Sequence, residues 1–231
     1  MDRSVTAVDV RLDWATVRVL GPDAERYLQS QLSQDLGELE GGERWALLLE
    51  PDGVVVTSCL VRRVESGFEL AVPRELGESA LARLRRFHLR SDCTLELFDR
   101  DEGPFARTSE LVDASWPGAN EFRAQLTPQS FGGHFVASTV SFTKGCYTGQ
   151  ELVARLDARA SNVPWRLARL SGPSVERLEE AVRLKGPEGP RGVTTAVARA
   201  GRVDALAIVH RTLLDPAARA ELHDVEITAS T

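Results

Sequence analysis

Apolar and polar residues alternate from Trp14 to Leu20 (W-A-T-V-R-V-L), the period-two pattern of a strand with one buried face. Gly21-Pro22-Asp23 breaks the alternation, and Pro22 suits the first turn of a helix with Ala24, Tyr27, Leu28 and Leu32 as its apolar stripe. Residues 44–50 and 54–64 read as two strands joined by the tight turn Pro51-Asp52-Gly53, a hairpin. After Glu65-Ser66-Gly67 comes a strand over 68–72. Pro73 then opens a helix carrying Leu76, Leu81, Leu84 and Phe87, and 93–98 is a further strand. The order strand, helix, hairpin, strand, helix, strand predicts an α+β layer with antiparallel pairing, not a doubly wound parallel sheet.

From 100 to 133 the periodicity weakens. Pro104, Pro117, Pro128 and several glycines predict an irregular connection with one or two short elements. Residues 151–159 predict a helix, with Glu151 four positions before Arg155. Beyond Asn162-Val163-Pro164 the pattern changes to strand-like runs at 165–170, 192–199, 205–210 and 224–228, separated by Gly and Pro turns. The expected division is therefore an α+β region over 1–163 and a small β-rich, barrel-like unit over 164–231.

The chain has 231 residues, 42% of them hydrophobic and 27% charged, which is enough for a buried core and argues against disorder. A net charge of −6 excludes an extended nucleic-acid surface, which needs a basic face. Arg83, Arg86 and Arg90 recur at helical spacing beside Leu81, Leu84 and Phe87. They read as the solvated side of an amphipathic helix, with contact to phosphates or to the glutamate tail of a ligand as the alternative. No apolar run approaches the roughly 18 residues of a membrane span, and the N-terminus shows no apolar targeting core. Three widely spaced cysteines match cytosolic thiols better than a disulfide framework, and Cys59 and Cys93 fall in apolar strands. The four histidines are scattered and no cysteine pair has metal-site spacing, so no metal site is expected.

The segment Lys144-Gly145-Cys146-Tyr147-Thr148-Gly149-Gln150-Glu151 holds the candidate chemistry. The chain has 2 lysines against 26 arginines, 2 tyrosines and 3 cysteines, and one of each scarce type falls within four residues here. In so arginine-biased a chain, a retained lysine indicates a need for a compact ammonium. The glycines permit sharp turns and close approach. Lys144 and a helix start near Gly149 both favour the Cys146 thiolate, the reactive form. Tyr147 offers a flat face with a polar tip, Gln150 a donor and an acceptor, and Glu151 an acceptor for a donor-rich heterocycle. Against this stand blander roles: Cys146 as a small buried hydrophobe, Tyr147 as packing, and Glu151 with Arg155 as a helix ion pair worth ~0.3–0.5 kcal/mol. No histidine lies in the motif to act as a base, which disfavours acyl-type nucleophilic catalysis.

Residues 141–156, S-F-T-K-G-C-Y-T-G-Q-E-L-V-A-R-L, resemble the Lys-Gly-Cys-Tyr-x-Gly-Gln-Glu signature of the YgfZ family, folate-binding proteins related to the T-protein (aminomethyltransferase) of the glycine cleavage system. Residues 19–35 are similar to that family's opening strand and helix, with Gln31, Ser33 and Asp35 in its Gln-x-Thr/Ser-x-Asp pattern. The resemblance implies a T-protein-like folate-binding α+β fold, tetrahydrofolate or a derivative as ligand, and Lys144, Cys146 and Tyr147 as functional positions. Gln31, Asp35, Gln150, Glu151 and Arg155 join them as candidate ligand contacts. It also implies a cytoplasmic role in assembly or repair of iron–sulfur enzymes, including tRNA-thiolating ones, with those enzymes or cluster carriers as partners. It assigns no net reaction. Two alternatives accompany it: a tetrahydrofolate-dependent one-carbon transferase, and a shortened scaffold protein without folate. One departure is Ser130, which stands where the family carries a glutamate suited to a pterin's donors.

Overall fold

The computed structural model describes residues 5–37, 39, 42–100, 102–158 and 162–230, without the side chain of Ala158. In chain order the regular elements are β1 (Trp14–Leu20), α1 (Ala24–Gln29), β2 (Glu43–Leu49), β3 (Val55–Val64), β4 (Gly67–Pro73), α2 (Gly77–Arg86) and β5 (Thr94–Arg100). Then follow α3 (Thr108–Ala114), α4 (Ala119–Phe122), α5 (Gly133–Thr139), α6 (Gln150–Ala158), β6 (Trp165–Gly172), α7 (Val175–Arg183), β7 (Gly192–Arg199), β8 (Arg202–His210), α8 (Pro216–Ala220) and β9 (Glu226–Ala229). The chain forms two compact units, both discontinuous: Leu12–Pro104 with Val136–Ala160, and Met1–Arg11 with Phe105–Phe135 and Ser161–Thr231. The change at Pro164 gave no sign that 105–135 is grouped with the C-terminal strands.

The first unit is built on a five-stranded antiparallel sheet in the order β2-β3-β4-β1-β5. Alternation in β1 puts Ala15, Val17 and Val19 on one face, together with Phe68, Leu70 and Val72 of β4, and against them pack Tyr27 and Leu28 of α1 and Ala80, Leu81 and Leu84 of α2. Tyr27 Oη donates to the Leu84 carbonyl at 2.6 Å, joining the two helices, and burial pushes its pKa upward. Cys59 and Cys93 are both buried. Gly67, with φ +155°, sits so close to β1 that a Cβ there would lie 2.1 Å from the Val19 carbonyl oxygen. α1 is shorter than its apolar stripe predicts. It ends at Gln29, and Leu32 pairs instead with Leu48 of β2 in an isolated bridge.

The second unit holds a four-stranded antiparallel sheet, β7-β8-β6-β9. Among the described residues it stays open and does not close into the expected barrel. α7 covers one face with Leu178, Ala181 and Val182 and is capped where Ser174 Oγ accepts from the Arg177 amide at 3.3 Å. The stretch read as irregular connection is more regular than its sequence suggests, containing α3, α4 and a 3-10 turn over Pro128–Phe131. Glu121 is fully buried there, accepting from the Gly118 amide at 2.7 Å and from Thr195 Oγ1 at 2.8 Å. Among the described residues no helix is long and apolar enough to cross a membrane.

Candidate functional site

The signature loop lies wholly within the five-stranded unit, between α5 and α6. Its residues alternate in environment: Lys144 and Tyr147 are buried, whereas Gly145 and Cys146 are exposed. No heavy atom would lie within 4 Å of a Cβ at Gly145, so the outer side of the loop faces open space.

Lys144 is 8% exposed, and among the described residues its ammonium donates to four oxygens. These are the carbonyls of Gln29 at 2.9 Å, Leu32 at 2.7 Å and Gln34 at 2.9 Å, and Gln29 Oε1 at 3.2 Å. An ammonium has three protons, so at least one of these bonds is shared. The bonds account for the short α1: carbonyls that a longer helix would use turn instead toward one cation. Gln29 completes the ring, its Nε2 donating to Asp35 Oδ1 at 2.6 Å while its Oε1 also accepts from the Leu36 amide at 3.0 Å. On the other side, Lys144 Nζ lies 5.3 Å from the centroid of the Tyr147 ring, within cation–π range. Tyr147 therefore presents a face to Lys144 from a buried position, and burial pushes its hydroxyl up to about 12.

Ser33 fixes the same segment from behind. Its Oγ donates to the Thr139 carbonyl at 2.6 Å and accepts from the Leu47 amide at 2.7 Å, and its carbonyl accepts from the Ser141 amide at 2.9 Å. The amide of Thr148 donates to the Ser30 carbonyl at 3.0 Å. Gly149, with φ +86°, rests on the end of β2, where a Cβ would be 2.7 Å from the Glu50 carbonyl oxygen. Gly53 of the hairpin turn lies against Leu152 of α6. The loop is thus clamped between the 29–35 segment and the hairpin.

The expected site residues separate into groups. Lys144, Tyr147 and Asp35 come together around the ammonium. Gln31 is buried and engaged elsewhere, its Nε2 donating to Ser30 Oγ at 2.9 Å and its Oε1 accepting from Arg83 Nη1 at 3.1 Å. Gln150 is half-buried, and Glu151 and Arg155 are exposed, all on α6; Arg159, where that helix is expected to end, lies outside the described residues. Cys146 is exposed as expected, yet none of the four Lys144 hydrogen bonds goes to it. The expectation of a cation directed at the thiol is therefore replaced by a cation directed at main-chain carbonyls.

Arg83 overturns the expectation of a solvated arginine face. It is 3% exposed, donates from Nε to the Leu49 carbonyl at 2.8 Å and lies 4.2 Å over the Phe87 ring, and burial lowers its pKa. Helical spacing alone could not separate it from Arg86, which stays at the surface with Glu50. Gln29 and Gln34 were also missed: Gln34 contributes a main-chain carbonyl, which leaves no mark on residue identity, and the Gln29 side chain meets Lys144 only through the tertiary fold.

Burial pushes the Lys144 pKa down to about 8, opposed by the Asp35 carboxylate. Asp35 is itself held below its ordinary value, first by the Gln29 hydrogen bond, then by the Gly37 amide and the Lys144 charge. An unfolded chain keeps the lysine proton up to the ordinary 10.5, so this group alone makes the fold more stable as pH rises from about 8 to 10.5. With two lysines in the chain, a Lys185→Arg variant isolates the Lys144 side-chain NMR signals. They are expected to titrate near pH 8, and at lower pH in Asp35→Asn, where the opposing charge is gone. An unchanged midpoint in that variant would remove Asp35 from the site.

No family model matches the chain. Among curated relatives, a "tRNA-modifying protein YgfZ" of Enterobacter sp. (strain 638) is 26% identical over 260 residues, covering 80% of this chain and 78% of the relative. The protein of the same name from Cronobacter sakazakii is 25% identical over 265 residues with the same coverage. Among solved structures, the glycine cleavage system aminomethyltransferase T from Bartonella henselae superposes with a TM-score of 0.52 at 14% identity, over 89% of this chain and 79% of that one. That likeness gives the fold, and over four fifths of its length the chain is similar to the curated YgfZ proteins.

Proposed function

We propose that this protein is a folate-binding accessory factor of YgfZ type, supporting the assembly or repair of iron–sulfur enzymes, among them enzymes that thiolate tRNA, with Cys146 as its working thiol. The observation that carries this is the division of labour in the signature loop. Lys144 and Tyr147 face inward and fix the backbone, while Cys146 stands exposed between them in sequence. A loop held this firmly, with a thiol on its open side, suits a group that meets a partner or a cluster. The name shared by the curated relatives supports the tRNA connection.

Folate fits the donor set on α6. Glu151 offers a carboxylate for the amino group and ring N–H of a pterin, Gln150 a donor and an acceptor, and Arg155 a cation for a glutamate tail; all three are at least partly accessible. Lys144 and Tyr147 act on such a ligand through the shape of the loop, since both are already engaged. Ser130, which is 3% exposed, offers no carboxylate where the family carries one, a change that weakens folate binding.

Calorimetric titration of tetrahydrofolate and 5-formyltetrahydrofolate is expected to show saturable binding that weakens in Glu151→Gln and Arg155→Ala. Limiting iodoacetamide should label Cys146 well before Cys59 or Cys93. Cys146→Ala should melt within a few degrees of the parent, because an exposed thiol adds little packing. The same variant should fail to restore growth in a strain deficient in iron–sulfur-dependent tRNA thiolation. Absence of folate binding would leave the scaffold alternative standing, and full activity of Cys146→Ala would make the motif purely structural.

A further inference from the structure

The region of weakest sequence periodicity contains the densest aromatic cluster. Four of the eight phenylalanines, Phe105, Phe122, Phe131 and Phe135, gather with Trp116 and His134 in the unit of the four-stranded sheet. Trp116 and Phe135 meet edge-to-face at 4.9 Å between centroids, and Phe131 and Phe135 at 5.4 Å. Such packing normally fills its own space. Here a cleft of about 190 Å³ remains, floored by Trp116, Phe131 and Phe135 and rimmed by Ser115, His134 and Ser230.

Three features give the cleft a chemical character. First, its size: a dry cavity of about 150 Å³ takes one benzene ring, so this one takes one ring or two fused rings. Second, its charge: although 27% of the chain is charged, among the described residues no Asp, Glu, Lys or Arg lines the cleft. An anionic or cationic ligand would find no counter-ion there. Third, its polar contact: Ser230 Oγ is buried without a hydrogen-bond partner among the described residues, an unfavourable arrangement unless something fills it. The hydroxyl is held in place because the Ser230 amide donates to the Leu167 carbonyl at 3.2 Å and Gly132 packs on the Ser230 backbone. At Gly132, φ is +103° and a Cβ would lie 2.6 Å from the Ser230 carbonyl oxygen, so a glycine is required to seat that wall. An aromatic floor with a few fixed polar groups at the rim is the common form of a small-ligand site.

We propose that this cleft binds a small, uncharged, planar nitrogen heteroaromatic of one or two fused rings, packed among Trp116, Phe131 and Phe135 and hydrogen-bonded to Ser230 Oγ. The rings give planar selectivity, and a ring nitrogen supplies the partner that the hydroxyl lacks. The signature loop and α6 belong to the other unit, so this site stands or falls independently of the folate reading.

The test is a titration of the intact protein with benzimidazole at neutral pH, followed by saturation-transfer NMR and calorimetry. Cyclohexanol serves as the non-planar control and benzoate as the anionic one. Benzimidazole is expected to bind one-to-one with Kd on the order of 0.1–1 mM, the range for a fragment of this size, and both controls at least tenfold more weakly. Ala114→Trp, at an exposed rim position, fills the cleft and should weaken binding at least tenfold. Ser230→Ala keeps the aromatic floor and should weaken it about threefold or more. Binding of cyclohexanol as tight as that of benzimidazole, or no saturation below about 10 mM in a folded protein, overturns the proposal. So does binding that survives both variants, since the ligand then sits elsewhere.

Discussion

Lys144→Met is expected to be among the most damaging single substitutions in this chain. Methionine matches the apolar stem of lysine but removes every donor. The carbonyls of Gln29, Leu32 and Gln34 then lose the cation they converge on, with Gln29 keeping only its side-chain partners. Each orphaned buried acceptor costs about 1–3 kcal/mol, and shared bonds make the sum less than additive. A loss of roughly 3–5 kcal/mol follows, a large share of the total stability of most domains. In a chain of this size that lowers the melting temperature by about 10 °C, readable by calorimetry or circular dichroism. Lys144→Arg should rescue little, because a planar guanidinium cannot point its donors at acceptors that surround a single atom. A Lys144→Met protein melting with the parent would show that the carbonyl ring holds without its cation.

Gly149→Val is expected to do comparable damage by a different route. Its φ of +86° lies where β-branched residues are genuine outliers, and a Cβ there would be 2.7 Å from the Glu50 carbonyl oxygen and 3.0 Å from the Leu49 side chain. The neighbour at 2.7 Å is backbone, so the loop or the hairpin must move. A cost of about 3 kcal/mol or more is expected, with Gly149→Ala intermediate. Hydrogen exchange should localise the effect, with faster exchange at the Thr148 amide, which donates to Ser30, and at the Gly53 amide, which donates to Glu50. If those amides keep their protection in Gly149→Val, the loop does not rest on the hairpin as described.

The sheets were legible in the sequence because burial of one face imposes a period-two pattern. β1 to β5 fall within a residue or two of where alternation and turn residues put them, and β6 to β9 do nearly as well. Helix α7 was not legible. Its nine residues carry a clear apolar face and a serine cap, yet they sit between Gly-Pro punctuation that also suits a loop between strands. The length of α1 failed for a different reason: Leu32 keeps helical spacing with Leu28, but tertiary hydrogen bonds from Lys144 compete for the backbone. Within the site, residue scarcity pointed to Lys144, Cys146 and Tyr147, and their proximity in sequence said nothing about which way each side chain faces. The aromatic cleft left no periodic trace because its walls come from 114–116, 131–135 and 228–230.

The ammonium of Lys144 is bonded to carbonyls 110 to 115 positions earlier in the chain. During synthesis at about 5–20 residues per second, those carbonyls leave the ribosome some 5–20 s before their cation does. Until then the carbonyls of Gln29, Leu32 and Gln34 lack the cation they converge on, although Leu32 and Ser33 can already pair with β2. The signature loop is therefore shaped late, by a contact of high sequence separation.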